Sequence, residues 1–160
     1  MENIHKIMVA FDGSEHAIEA LKYGCRLAKS LETELIVANI IHQRDVNAVR
    51  MVEQKTLRLT VDEYIEGWKN SRAQDMEKII QEMSCGSISV KKVFSVGVPF
   101  RELIQLLKDV SADLLIMGSK GRGNLTGILF GSTAEKMFRH CPVPLLSIRP
   151  EDFSRRNVIN

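Results

Sequence analysis

Short, fully apolar runs alternate along this chain with longer stretches in which apolar residues recur every three or four positions. Ile7-Met8-Val9-Ala10-Phe11 is a β-rich run closed by Asp12-Gly13-Ser14, the pattern of a buried strand ending in a turn. Ser14 is a good N-cap and Glu15 suits the first turn of a helix whose stripe is Ala17, Ile18, Leu21, Cys25, Ala28 and Leu31. Leu35 to Ile41 predicts a second strand. Residues 42–56 are polar without a clear period and predict a loop. A helical pattern resumes from Leu57 to Met83, through Tyr64, Ile65, Trp68, Met76, Ile79 and Ile80. Ser84-Cys85-Gly86-Ser87 ends it, with Gly86 as the expected left-handed residue. The stripe around Tyr64 and Trp68 reads as core before it reads as a docking face for a protein partner, whose identity the sequence leaves open.

Ile88 to Val96 alternates apolar and polar, as a half-buried or edge strand does. Gly97-Val98-Pro99 is a turn, and Pro99 opens a helix with Phe100, Leu103, Ile104, Leu107 and Val110 on one face. Leu114-Leu115-Ile116-Met117 is a fourth strand. A glycine-rich stretch, a short helix from about Ser132 to His140 and a strand from Val143 to Ile148 follow. Residues 1–150 read as one domain, and 151–160 as a polar tail. Strands separated by helices predict a three-layer α/β/α sandwich on a five-stranded parallel sheet, Rossmann-like or flavodoxin-like.

Composition narrows the function. The 160 residues are 44% hydrophobic with a net charge of +2, which argues against disorder. The 22 Lys+Arg and 20 Asp+Glu are intermixed, which argues against a nucleic-acid partner. No apolar run is long enough to span a membrane. The N-terminal run has no basic segment followed by an apolar one, so no secretory signal is expected. Cys25, Cys85 and Cys141 lie far apart, as reduced thiols of a cytoplasmic protein would.

In an open parallel sheet, ligands bind beyond the carboxyl ends of the strands, where the strand order reverses. Two loops there carry chemistry. Gly118-Ser119-Lys120-Gly121-Arg122-Gly123-Asn124 follows the fourth strand. Its glycines permit positive φ and close ligand approach, its amides can converge on an anion, and Lys120 and Arg122 add positive charge. Gly131-Ser132-Thr133 opens the next helix, whose free amides and dipole make a second anion site. Two such sites around one excursion suit a polyphosphate. Asp12, at the end of the first strand, is placed to accept hydrogen bonds from ribose hydroxyls, or simply to cap its turn. Ile40 can form an apolar wall for a base, or plain core. The P-loop and dinucleotide fingerprints are absent: Gly121-Arg122-Gly123 begins G-x-G-x-x-G, but Thr126 stands at its last position. The histidines (His5, His16, His42, His140) show no catalytic or metal-binding spacing, and His16 and His140 are expected on helix surfaces or ends. No catalytic residue and no protein-only metal site is predicted.

Gly118-x2-Gly121-x9-Gly131-Ser132 fits the G-x2-G-x9-G-[ST] pattern of the nucleotide-binding universal stress proteins. Val9 to Glu15 resembles that family's first strand and turn, Gly97-Val98-Pro99 its G-x-P, and Cys141-Pro142-Val143-Pro144-Leu145-Leu146 its C-P-V-P-V-L ending. The resemblance runs from Ile4 to Arg149, with residues 42–60 the least typical. It implies strand order 3-2-1-4-5 and ATP between strands one and four. It further implies Asp12 at the ribose, Ala10, Phe11, Ile40 and Met117 around adenine, and Gly118, Lys120, Gly121 and Arg122 along ribose and phosphates. Gly131, Ser132 and Thr133 would hold the phosphates, with Mg²⁺ or Mn²⁺ bridging them. It implies a homodimer paired through 143–148, an apolar edge that otherwise needs protection. The resulting function is an ATP-binding signalling or stress-response module. The alternative is a slow Mg-dependent ATPase or nucleotidyl-transfer enzyme, for which no general base stands out beyond Asp12.

Overall fold

The computed structural model describes residues 3–56, 59–123 and 130–150. Strands β1 (Lys6–Ala10), β2 (Glu34–His42), β3 (Val90–Gly97), β4 (Leu114–Gly118) and β5 (Leu145–Ile148) form one sheet in the order β3-β2-β1-β4-β5. Every pairing is parallel. The three central strands are nearly continuous apolar runs because helices cover both faces.

Helices α1 (Glu15–Leu31) and α3 (Val61–Glu82) lie on one face, where Ile7, Val9, Phe11, Leu21, Val37 and Met76 are buried together. Helices α4 (Pro99–Asp109) and α5 (Ser132–His140) lie on the other, over Met8, Ala38, Leu115 and Met117. Alternate residues of β1 thus serve opposite layers. The Ser14 hydroxyl caps α1 by accepting the Ala17 N–H, and Pro99 opens α4.

The structure departs from the sequence reading in five places. Residues 42–56 are not a loop: β2 runs on to His42, and α2 (Gln43–Thr56) follows directly. Only Val46 of α2 is buried, so the helix has no stripe for a periodicity to reveal. The next helix starts at Val61, where Thr60 and Glu63 form a capping box; residues 57–58 lie outside the described residues. It is stopped by Ser84 in the left-handed conformation at φ 52°, not by Gly86, and Cys85–Ser87 adds a 3-10 turn before β3. Pro142 and Pro144 lack ladder donors, and β5 starts at Leu145. His16 stands at a helix end, one of the two expected positions, but is buried there. The 124–129 part of the glycine-rich stretch and the 151–160 tail lie outside the described residues.

Candidate functional site

The loops that leave β1 and β4 at their carboxyl ends diverge, because the chain crosses to α1 on one face after β1 and to α5 on the other after β4. Between them opens a cavity of about 540 Å³. The twelve residues that the family resemblance places around a nucleotide all line it.

Its apolar floor comes from the α4/α5 side of the sheet. Ala10 pairs in register with Ala38 on β2 and with Met117 on β4, so two small side chains leave room above the sheet. Ile40 and Leu103 close that end. Phe11 reaches the cavity differently. Its ring is 2% exposed and packs in the opposite layer, and its backbone pairs with Ala38 by an N–H···O bond of 2.8 Å. The bulk of Phe11 therefore stays out of the space above Ala10.

Asp12 is at the junction of floor and loops. Its Oδ1 accepts the Ser14 N–H at 2.9 Å, so it does cap its own turn. Its Oδ2 lies against Gly121, where an added Cβ would meet it at 2.7 Å. Gly131 is packed against the same loop: a Cβ there would stand 3.3 Å from the Gly121 nitrogen. Gly131 N–H also donates to the Ser119 carbonyl at 2.9 Å, which ties the start of α5 to the glycine loop. Ser132 and Thr133 occupy the first turn of α5 and line the cavity, where the helix presents unpaired amides.

The glycines serve packing more than unusual backbone angles. Among the described residues Gly13 alone has a positive φ in this region, at 80°. Gly118 makes room for α1, since a Cβ would meet the His16 Cβ at 2.6 Å and its backbone carbon at 2.8 Å.

Sequence reasoning missed two groups of residues. The first is His16, hydrogen-bonded through Nδ1 to Ser119 Oγ at 3.1 Å beneath the loop. Burial, and then the charge of neighbouring Lys120, hold its imidazole below the ordinary histidine range. Lys120 itself is only 7% exposed. The second is the start of α2: His42, Arg44 and Asp45 line the rim because α2 follows β2 without a loop. The acidic residue in its first turn was the available signal. Among the described residues no cluster of His, Cys, Asp or Glu could hold a metal by itself, and no helix is long and apolar enough to cross a membrane.

Residues 3–149 match the family model described as Universal stress protein family. Universal stress protein MJ0577 of Methanocaldococcus jannaschii is 30% identical over 153 residues, covering 90% of this chain and 94% of that protein. Its solved structure superposes with a TM-score of 0.75 over 94% of this chain and 99% of that one. The fold is shared with a universal stress protein in complex with cAMP (TM-score 0.62, 19% identity, 92% and 98% of the two chains). It is shared equally with one from Archaeoglobus fulgidus in complex with dAMP (TM-score 0.63, 18% identity, 92% and 100%). The family model covers nearly the whole chain and the fold is shared, and the chain belongs to the universal stress protein family.

Proposed function

We propose that this chain binds ATP in the cavity between β1 and β4 and works as a nucleotide-dependent signalling module of the cytoplasmic stress response. The observation that carries the reading is the convergence of an apolar floor, the Asp12 carboxylate and two bends of small residues on one cavity. Adenine fits the floor of Ala10, Ala38, Ile40 and Met117. Asp12 Oδ2 is the acceptor for ribose hydroxyls. The phosphates lie beside Gly121 and Gly131, at the amides and hydroxyls of Ser132 and Thr133, where a side chain on either glycine would crowd them. The cAMP and dAMP held by the two relatives support an adenine nucleotide as the ligand class.

The Ser132 and Thr133 hydroxyls and the Asp12 carboxylate are hard oxygen donors, which fit Mg²⁺ or Mn²⁺ shared with the phosphates. Bound there, the cation would neutralise phosphate charge. A homodimer through β5 belongs to the same reading: β5 is a sheet edge, and Phe138 of α5 is 73% exposed and stacks with Phe130 at 6.1 Å.

Mass spectrometry of ligand released from the denatured protein, followed by titration calorimetry with ATP, tests the reading. Adenine nucleotide in the release and saturable ATP binding are expected; neither appearing would refute it. Sustained ADP production with Mg²⁺, lost in Asp12→Ala, would instead favour the slow ATPase.

A further inference from the structure

The rim contributed by α2 carries a feature that nucleotide binding does not by itself require. The Asp45 carboxylate lies between two arginines, with Oδ1 3.6 Å from Arg44 Nε and Oδ2 3.9 Å from Arg122 Nη2. The Arg44 side chain is 80% exposed, so its hold on Asp45 is weak. Arg122 is more constrained. Its guanidinium lies 4.7 Å from the centre of the Trp68 ring. Trp68 is itself fixed: Nε1–H donates to Asn39 Oδ1 at 2.9 Å, and Asn39 Nδ2 donates to the Phe11 carbonyl at 2.7 Å.

A guanidinium offers a flat face for stacking and an edge of N–H donors for anions. Here the indole takes the face, and a carboxylate stands at the edge. That edge is the part of Arg122 that would grip a phosphate. Tyr64 senses both groups: burial first, and then the Asp45 charge, raise its phenol, while Arg122 lowers it.

We infer that Asp45 is a specificity-determining residue, an internal anion that competes with the terminal phosphates of a bound nucleotide for Arg122. The inference rests on the nucleotide-binding reading above. A triphosphate brings like charge to the guanidinium that Asp45 already faces, so part of its binding energy is spent displacing the carboxylate. Adenosine carries no phosphate and leaves the pair in place. Asp45 thus compresses the difference in affinity between phosphorylated and unphosphorylated ligands. Trp68, the only tryptophan, reports the exchange when Arg122 leaves its ring.

The test is titration calorimetry of ATP and of adenosine in EDTA at low ionic strength, on the full chain, Asp45→Asn, Arg122→Gln and the double variant. Asp45→Asn is expected to bind ATP about fivefold more tightly, the scale of a partly exposed ion pair, with adenosine unchanged. The gain should vanish in the Arg122→Gln background. Unchanged or weaker ATP binding, an equal gain for adenosine, or a gain that survives loss of Arg122 would overturn the inference. Trp68 emission of the unsubstituted protein is a second readout that needs no variant. A change with ATP and none with adenosine is expected, and identical responses would overturn it. If the unsubstituted chain binds neither ligand, the nucleotide-binding reading itself fails, which is a different result from ATP binding that ignores Asp45.

Discussion

An aspartate stands at each end of the β1–β4 pair, and the two do different work. At the amino end of β4, Asp113 Oδ2 accepts the backbone N–H groups of His5 at 2.8 Å and Lys6 at 2.9 Å, and Lys6 Nζ donates to the Val110 carbonyl at 3.0 Å. The chain closes on that carboxylate. At the carboxyl end of β1, Asp12 takes one N–H from its own turn and turns its other oxygen toward Gly121 and the cavity. The difference is one of surroundings. Two backbone amides hold Asp113 by one oxygen and make it a clasp, while glycine neighbours leave Asp12 room for a ligand. An aspartate that ties down the backbone of a segment distant in sequence stabilises the fold, and one that faces a gap between loops is available for binding.

That contrast can be broken most directly at the gap. Gly131→Val is expected to weaken ATP about a hundredfold, about 2.8 kcal/mol, by calorimetry. Gly131 has φ −71°, which valine adopts, and the new side chain would enter the space beside Lys120 and Gly121. The fold should survive with a cost of about 1 kcal/mol for a poorer N-cap, seen as a small fall in melting temperature. Binding unchanged within error would contradict the assigned loop.

The two aspartates can then be exchanged in role. Asp12→Ala should lower ATP affinity about tenfold, the loss of a charge-assisted hydrogen bond, with urea stability reduced by at most about 1 kcal/mol for the lost Ser14 contact. Asp113→Ala should do the reverse, lowering urea stability by about 1–2 kcal/mol and leaving ATP affinity alone. Loss of binding in both variants would erase the distinction between clasp and site.

Arg122→Ala should weaken ATP about fivefold and adenosine hardly at all, because the guanidinium faces phosphates rather than the base. Equal losses would place Arg122 elsewhere. The smallest expected effect is in acid. The His5 and Lys6 amides hold the Asp113 carboxyl below its ordinary range. A group lowered on folding contributes stability above its unfolded value, and loses it as pH falls through the folded one. Asp113→Asn should therefore flatten the acid side of the stability–pH curve, and an unchanged slope there would count against the clasp.

Much of this was legible in the sequence. The strands read through because β1, β2 and β4 are buried on both faces, and the glycine loop and the α5 start read through because small residues at fixed gaps have few other uses. What stayed hidden has physical causes. Helix α2 rests on Val46 alone, and its start is capped by the His42 ring, whose Nδ1 accepts the Arg44 N–H at 3.1 Å, a cap no sequence rule anticipates. The burial of His16 follows from Gly118, whose missing side chain lets α1 settle onto β4. The Asp45–Arg122–Trp68 contact joins three elements distant in sequence and exists only once α2 and α3 fold over the rim. Gly118 and Gly131 serve close packing at ordinary φ, whereas the sequence pointed to glycines for positive φ and ligand approach.

The most direct test is a crystal structure grown with excess ATP. Adenine over Ala10 and Met117, ribose at Asp12, and phosphates between Gly121 and the first turn of α5 are the result expected here. Nucleotide bound away from this cavity, or the two bends closed on each other with ATP excluded, would contradict it.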